Sequence, residues 1–329
     1  MRGSWLVVPA LLGVIAAGCG NDVDDAGAEW PRRDLKIMAP ADPGGGWDTT
    51  AREMAKVIED EDLVGRNAEV YNVSGAGGTI GLAQLAAKRK GEANQMMVMG
   101  LVMLGAIETN QAPLDVGDTT PIAALTSEPE AIVVRAESDI RDLKDLVERM
   151  KADPSAVSFA GGSAGGTDQI LLGLLAKAGG IDPSETKYIA YSGGGEANQA
   201  ILSGSVTAGI SGASEFEDQV EGGKMRVLAV STAEPVDVGG EEAPTIRDSG
   251  FDVVVENWRG VVAPPDILPA ERDAMVAAME RLHDAPGWRE ALERNGWTDF
   301  FKPGDAFTTF LREEDARVDR IIADLGLGQ

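Results

Sequence analysis

A short apolar segment, a glycine-rich break and an amphipathic stretch recur along this chain, and that repeated unit constrains the fold most. Leu35–Ala39 is strand-like, and Pro43-Gly44-Gly45-Gly46 breaks it. Asp48 is placed as a helix cap, and Ala51, Met54, Ala55 and Ile58 follow at the spacing of one helical face. Residues 70–73 repeat the scheme, with Gly75-Ala76-Gly77-Gly78 as the break and Thr79 as the cap of a helix through Leu85 and Ala86. Residues 96–99 and 131–134 read as further strands. In the second half, Leu143, Leu146, Val147 and Met150 form a helical face, and 157–160 a strand. The loop Gly161-Gly162-Ser163-Ala164-Gly165-Gly166 leads through Thr167 and Asp168 into a helix carrying Leu171, Leu174, Leu175 and Ala178. Residues 188–191 lead through Ser192 to Gly193-Gly194-Gly195 and a helix with Ala197, Ala200 and Ile201; 207–210 and 226–230 are two more strands. Such alternation predicts an α/β fold with largely parallel sheets. Ligands of such sheets bind beyond the carboxyl ends of the strands, where these glycine loops lie.

Glycine lets the backbone approach a ligand closely and take positive φ. The helix that follows offers unpaired N–H groups and the positive end of its dipole. Together they make an anion site without Lys or Arg, and the glycine loops contain neither. That matters in a chain of 29 basic and 54 acidic residues, net charge -25. Such a balance argues against nucleic acid, whose phosphates require basic side chains, and 5% aromatic residues leave little for base stacking. At 329 residues, 43% hydrophobic and 25% charged, the chain is long enough for two globular domains. One Cys and one His exclude a disulfide framework and a Cys/His zinc centre, and leave little for nucleophilic catalysis.

That Cys falls at the end of an apparent export signal. Arg2 precedes an apolar run at 5–17, too short to span a hydrocarbon core of about 30 Å comfortably. The run ends Ile15-Ala16-Ala17-Gly18-Cys19, which resembles a bacterial lipobox. The expectation is a lipoprotein signal peptide at 1–18, a lipid on Cys19 and an acidic tether at 19–33. No later stretch reaches 18 apolar residues.

Other motifs carry less. Gly161 to Thr167 has the spacing of a phosphate loop but lacks its Lys. Gly75, Gly77 and Gly81 loosely follow a dinucleotide fingerprint, with no acid for a ribose at the next strand end. His283 sits in a polar stretch and reads as a solvated helix face; Asp22, Asp24 and Asp25 lack full calcium spacing. Arg259, between strand-like 253–255 and 261–262, either pairs with an acid or serves as a ligand-facing charge or interdomain clamp. Trp47 and Trp258 are pocket walls or core.

Taken together these blocks resemble the extracytoplasmic solute receptors of the tripartite tricarboxylate transporters. Pro40-Ala41-Asp42-Pro43-Gly44-Gly45-Gly46-Trp47-Asp48 is similar to their first loop, and 72–81 (NVSGAGGTIG) to their second. Residues 159–168, 191–197 and 207–212 are similar to loops of their second domain; 244–265, with Asn257-Trp258-Arg259-Gly260, completes the pattern. The GGGWD and NWRG forms look nearest to the tricarboxylate-binding branch. The stretch 234–242 departs from it, as relatives usually carry an Arg-containing segment there.

The resemblance implies a two-lobed periplasmic-binding-protein-like fold of type II, a Venus flytrap with the ligand between lobes. One lobe would be 34–135 with 258–329, the other 136–257. Ligand contacts would come from Asp42 to Asp48, Gly75 to Thr79, the loop at 161–168 with Ser163, Ser192 with Gly193 and Gly194, and Arg259. Carboxylates in this family are held largely by backbone amides and waters. The expected solute is citrate or a similar carboxylate, passed to two membrane transporter subunits by a lipid-anchored, extracytoplasmic, monomeric receptor with no cofactor or metal. The alternative is a receptor feeding a sensor protein. An enzyme is disfavoured, since no nucleophile is positioned with a base.

Overall fold

The computed structural model describes residues 30–162, 164–191 and 194–327. The signal segment, Cys19, the tether up to residue 29, Ser163, Ser192 and Gly193 lie outside the described residues. The first half runs β1 (Leu35–Ala39), α1 (Gly46–Asp60), β2 (Ala68–Asn72), α2 (Thr79–Lys88), β3 (Gln95–Gly100) and α3 (Leu101–Thr109). A long strand, β4 (Thr120–Arg135), follows. Then come α4 (Leu143–Ala152), β5 (Ser158–Gly161), α5 (Thr167–Gly179), β6 (Lys187–Ala190), α6 (Gly194–Ser203), β7 (Ala208–Gly212), α7 (Glu217–Glu221) and β8 (Met225–Val230). A small hairpin, β9 (Val236–Val238) and β10 (Glu241–Ala243), precedes β11 (Glu256–Ala263). The chain ends with α8 (Pro269–Asp284), α9 (Pro286–Arg294), β12 (Thr298–Pro303) and α10 (Gly304–Asp324).

The main sheet is ordered β2-β1-β3-β11-β4-β7-β5-β6, with β12 and β8 also on β4. Its flanks are parallel, β1 with β2 and β3, and β5 with β6 and β7. The centre is antiparallel, which corrects the expectation of largely parallel sheets. The correction has a simple cause: β4 and β11 carry the chain between the halves and pair in opposite directions. β3 is buried along its whole length, as a strand covered on both faces must be. In α1, Met54, Ala55 and Ile58 face the core as their spacing predicts.

β4 decides the architecture. Residues 120–129 pair with β11, and Glu130 to Arg135 pair with β7 and β8. One strand thus belongs to both halves of a two-lobed molecule. Sequence reading found only its apolar end at 131–134, because Thr126-Ser127-Glu128-Pro129-Glu130 looks like a polar loop. Pro129 lacks an N–H and sits where β4 changes partners. The second crossing, at Val255 and Glu256, is tied to the first through Ser231. The Ser231 hydroxyl donates to Val255 O (2.6 Å) and accepts from the Glu130 N–H (3.1 Å). The Ser231 N–H donates to Glu130 O (2.9 Å).

Candidate functional site

Glycine loops from both halves converge on an open cavity of about 780 Å³. Asp42, Pro43, Gly44, Gly45 and Trp47 line it from the β1–α1 loop, and Gly75, Ala76, Gly77 and Gly78 from the β2–α2 loop. Gly162, Ala164 and Tyr191 face them from the second half. Sequence reading missed the contribution of α3, whose Val102 and Ala106, with Asn110 just beyond its end, complete the wall. The signal was present but faint: α3 follows the lone Gly100 at the end of β3, the same device with a single glycine. Gly46, Asp48, Thr79, Gly161, Gly165, Gly166, Thr167, Asp168 and Arg259 are not among the lining residues.

The loop at 75–78 is the most contorted. Gly75, Ala76, Gly77 and Gly78 have φ of 123°, 51°, 61° and 91°. A left-handed alanine costs about 1–3 kcal/mol and persists only where its surroundings hold it. Here Asn110 Nδ2 and Thr79 Oγ1 both donate to Ala76 O, at 3.2 and 2.9 Å. A Cβ on Gly78 would lie 2.7 Å from the Trp47 ring, so Trp47 packs flush on this loop as a cavity wall. Trp258, by contrast, is core, its Nε1 donating to Glu314 (3.2 Å).

Two predicted caps are displaced. α1 starts at Gly46 with Gly45 as its cap, and α2 starts at Thr79 with Gly78 as its cap. Asp48 lies inside the first turn and reaches back to the Gly44 N–H (2.8 Å). It also accepts from Arg52 Nε (2.8 Å) and Asn72 Nδ2 (2.8 Å). Burial pushes the Asp48 carboxyl up, but the Arg52, Gly44 and Asn72 donors outweigh it and hold it at about 2.

In the second half Asp168 performs the same reach. It lies in the first turn of α5 and accepts the Gly162 N–H. Gly165 has φ 71°, and a Cβ there would strike Thr109 on α3. Gly105 of α3 is equally constrained, because its Cβ would strike the Gly165 carbonyl. These two glycines let the second-half loop touch α3.

Arg259 is inside the sheet. Residues 256–260 are themselves part of β11, whereas 253–255, expected as strand-like, precede it outside any strand. The guanidinium is ion-paired with Glu128, stands over the Trp297 ring (5.3 Å) and backs the first turn of α1. A Cβ on Gly46 would meet its Nη2 at 2.6 Å. No Lys or Arg is among the described residues that line the cavity. What the glycine loops can offer an anion is the positive end of the α1 and α2 dipoles behind Gly45 and Gly78, each worth about half a charge.

The sequence profile described as "Tripartite tricarboxylate transporter family receptor" matches residues 51–327. The chain is 25% identical to the protein BugT of Bordetella pertussis over 331 residues, covering 96% of this chain and 97% of that one. Among solved structures it is similar to MatC of Rhodopseudomonas palustris with bound malate, at TM-score 0.74 and 23% identity, covering 89% of this chain and 100% of that one. It is also similar to an R. palustris protein with adipate, at TM-score 0.73 and 20% identity, covering 91% and 99%. No helix among the described residues is long and apolar enough to cross a membrane.

Proposed function

Because the chain belongs to the tripartite tricarboxylate transporter receptor family, we propose that it binds a small organic acid between its lobes and delivers it to the membrane subunits of a transporter. The observation that carries this reading is the cavity walled by glycine loops and helix N-termini, with no cationic side chain among its described lining residues. Backbone N–H groups and dipoles suit a carboxylate on each side of the cleft. They supply too little charge for three carboxylates, since each helix end offers about half a unit. With Arg259 committed to Glu128, a dicarboxylate fits better than citrate. The malate and adipate bound to the two R. palustris proteins point the same way. We assign the lobes as the resemblance implies, 34–135 with 258–329 and 136–257, with the first boundary drawn back to Glu130, where the pairing of β4 passes from β11 to β7 and β8 and argues for a pivot.

Calorimetry and thermal unfolding with malate, adipate, citrate and acetate test the ligand class. A dicarboxylate is expected to bind most tightly and to stabilise the fold by about 2.7 kcal/mol at 100 times its Kd. Tightest binding of citrate would overturn the dicarboxylate reading. The absence of any thermal shift with millimolar organic acids would overturn the receptor reading.

We also propose that Cys19 carries the membrane anchor, on the strength of the lipobox-like sequence before it. Cys19→Ser is expected to leave the membrane fraction while keeping its melting temperature. Retention of that variant on the membrane would refute the anchor.

A further inference from the structure

The side chain of Glu130 is fully buried at the point where β4 changes partners. One oxygen accepts from Asn257 Nδ2 (2.7 Å), and the other, Oε2, is buried with no hydrogen-bond donor among the described residues. Three acids surround it: Asp168 from α5, Glu128 from β4 itself and Glu215 from the turn after β7. Each of these has its own donors. Asp168 takes the Gly162 N–H, with the Tyr188 hydroxyl of β6 at 3.5 Å. Glu215 takes the Ser211 hydroxyl, and Glu128 takes Ser214 and Arg259 of β11. The cation of this cluster is therefore committed away from Glu130. No three acidic groups among the described residues converge as metal ligands would. A buried carboxylate with one oxygen unpartnered and three acids nearby is strongly disfavoured. A carboxylic acid with a carboxylate to receive its proton is not.

We propose that Glu130 is held as a neutral acid whose Oε2 hydroxyl donates to the Asp168 carboxylate, which makes Glu130 a positioning residue for the glycine loop at 161–168. Burial and the neighbouring Asp168 charge both push Glu130 well above the ordinary carboxylate range. Burial raises Asp168 too, but the Gly162 N–H and the N-terminus of α5 keep the negative charge there. The proton thus stays on Glu130, and Asp168 stays able to hold Gly162 in the cavity wall. That this loop touches ligand rests on the function proposed above; the protonation state does not. Raising the pH until Glu130 ionises sets two adjacent anions behind the loop. The sign follows: the folded state holds a proton that the unfolded chain releases, so stability and loop placement both decline as pH rises.

Infrared difference spectroscopy of the ligand-free protein, wild type minus Glu130→Gln at neutral pH, tests the proton directly. The expected result is a protonated-carboxyl C=O band present in the wild type and lost in the variant. Absence of that band overturns the assignment, whatever the protein binds. Titration with malate tests the positioning role. Wild-type affinity is expected to fall by up to about tenfold per pH unit on the alkaline side, the limit for one proton. Glu130→Gln keeps an N–H toward Asp168 and is expected to lose that fall. It is also expected to bind at least about tenfold more tightly than Glu130→Leu, which offers no donor. Equal affinity of the two variants would overturn the positioning role.

Discussion

In the loop before α1 the Asp48 carboxylate reaches back to the Gly44 N–H; in the loop before α5 the Asp168 carboxylate reaches back to the Gly162 N–H. The two halves fasten a glycine loop by the same stitch. They differ in what stands behind it. Asp48 is backed by Arg52 and the Asn72 amide and is held at about 2. Asp168 has other acids behind it and is pushed up by burial. The first loop is fixed by a charge pair that ordinary pH leaves alone. The second is fixed by a shared proton. The same backbone geometry can therefore be robust on one side of a cleft and adjustable on the other.

The largest expected effect breaks the symmetry of the two loops. Gly165→Val forces a branched residue to φ 71° and drives its Cβ into Thr109. Malate affinity is expected to fall by about 100-fold, or about 2.7 kcal/mol. Gly45→Ala in the opposite loop has an ordinary φ of -75° and meets Asp42 O at only 3.4 Å. It is expected to cost about threefold or less. Isothermal titration of both variants checks the contrast, and equal losses would show that the loops are equally constrained.

A smaller effect sharpens the electrostatic difference. Asp48→Asn removes a buried charge that three donors serve, and denaturant unfolding is expected to register a loss of about 2 kcal/mol. Asp168→Asn keeps an amide oxygen to accept the Gly162 N–H and relieves the repulsion felt by Glu215, and is expected to cost less than about 1 kcal/mol. The pH dependence separates them further. The stabilisation from Asp48 is complete above its unfolded value of 3.8 and is lost as pH falls through about 2. An Asp48→Asn protein that kept the wild-type acid limb would show that the limb has another source.

The repeated units were legible because they obey local rules. Leu35–Ala39, the α1 face and the glycine loops follow from apolar spacing and from the conformations only glycine takes freely. The cavity lining followed from the same loops, as far as Gly78 and Gly162. What escaped depends on distant partners. Thr126 to Glu130 is polar, yet becomes strand because β11 and β12 flank its first part. Gly105 lies in an apolar helix and reveals its purpose only when Gly165 arrives against it. Arg259 was left between pairing and ligand contact, and the structure pairs it because Glu128 lies nearby on β4 in the same sheet.

The position of β11 also bears on the order in which the chain can mature. Arg259 pairs with Gly100 on one side and Thr126 on the other. The first-made strands, β1 to β3, therefore wait for a segment synthesised much later before their sheet joins β4 through β11. By contrast β5 to β8 are contiguous in the chain and pair among themselves and with the end of β4. Long-range pairing of the first kind is slow, because loop closure comes before the contacts that reward it. On this pairing, the part containing the N-terminal strands is expected to assemble last, with the edge of β3 open to misplaced strands until β11 arrives.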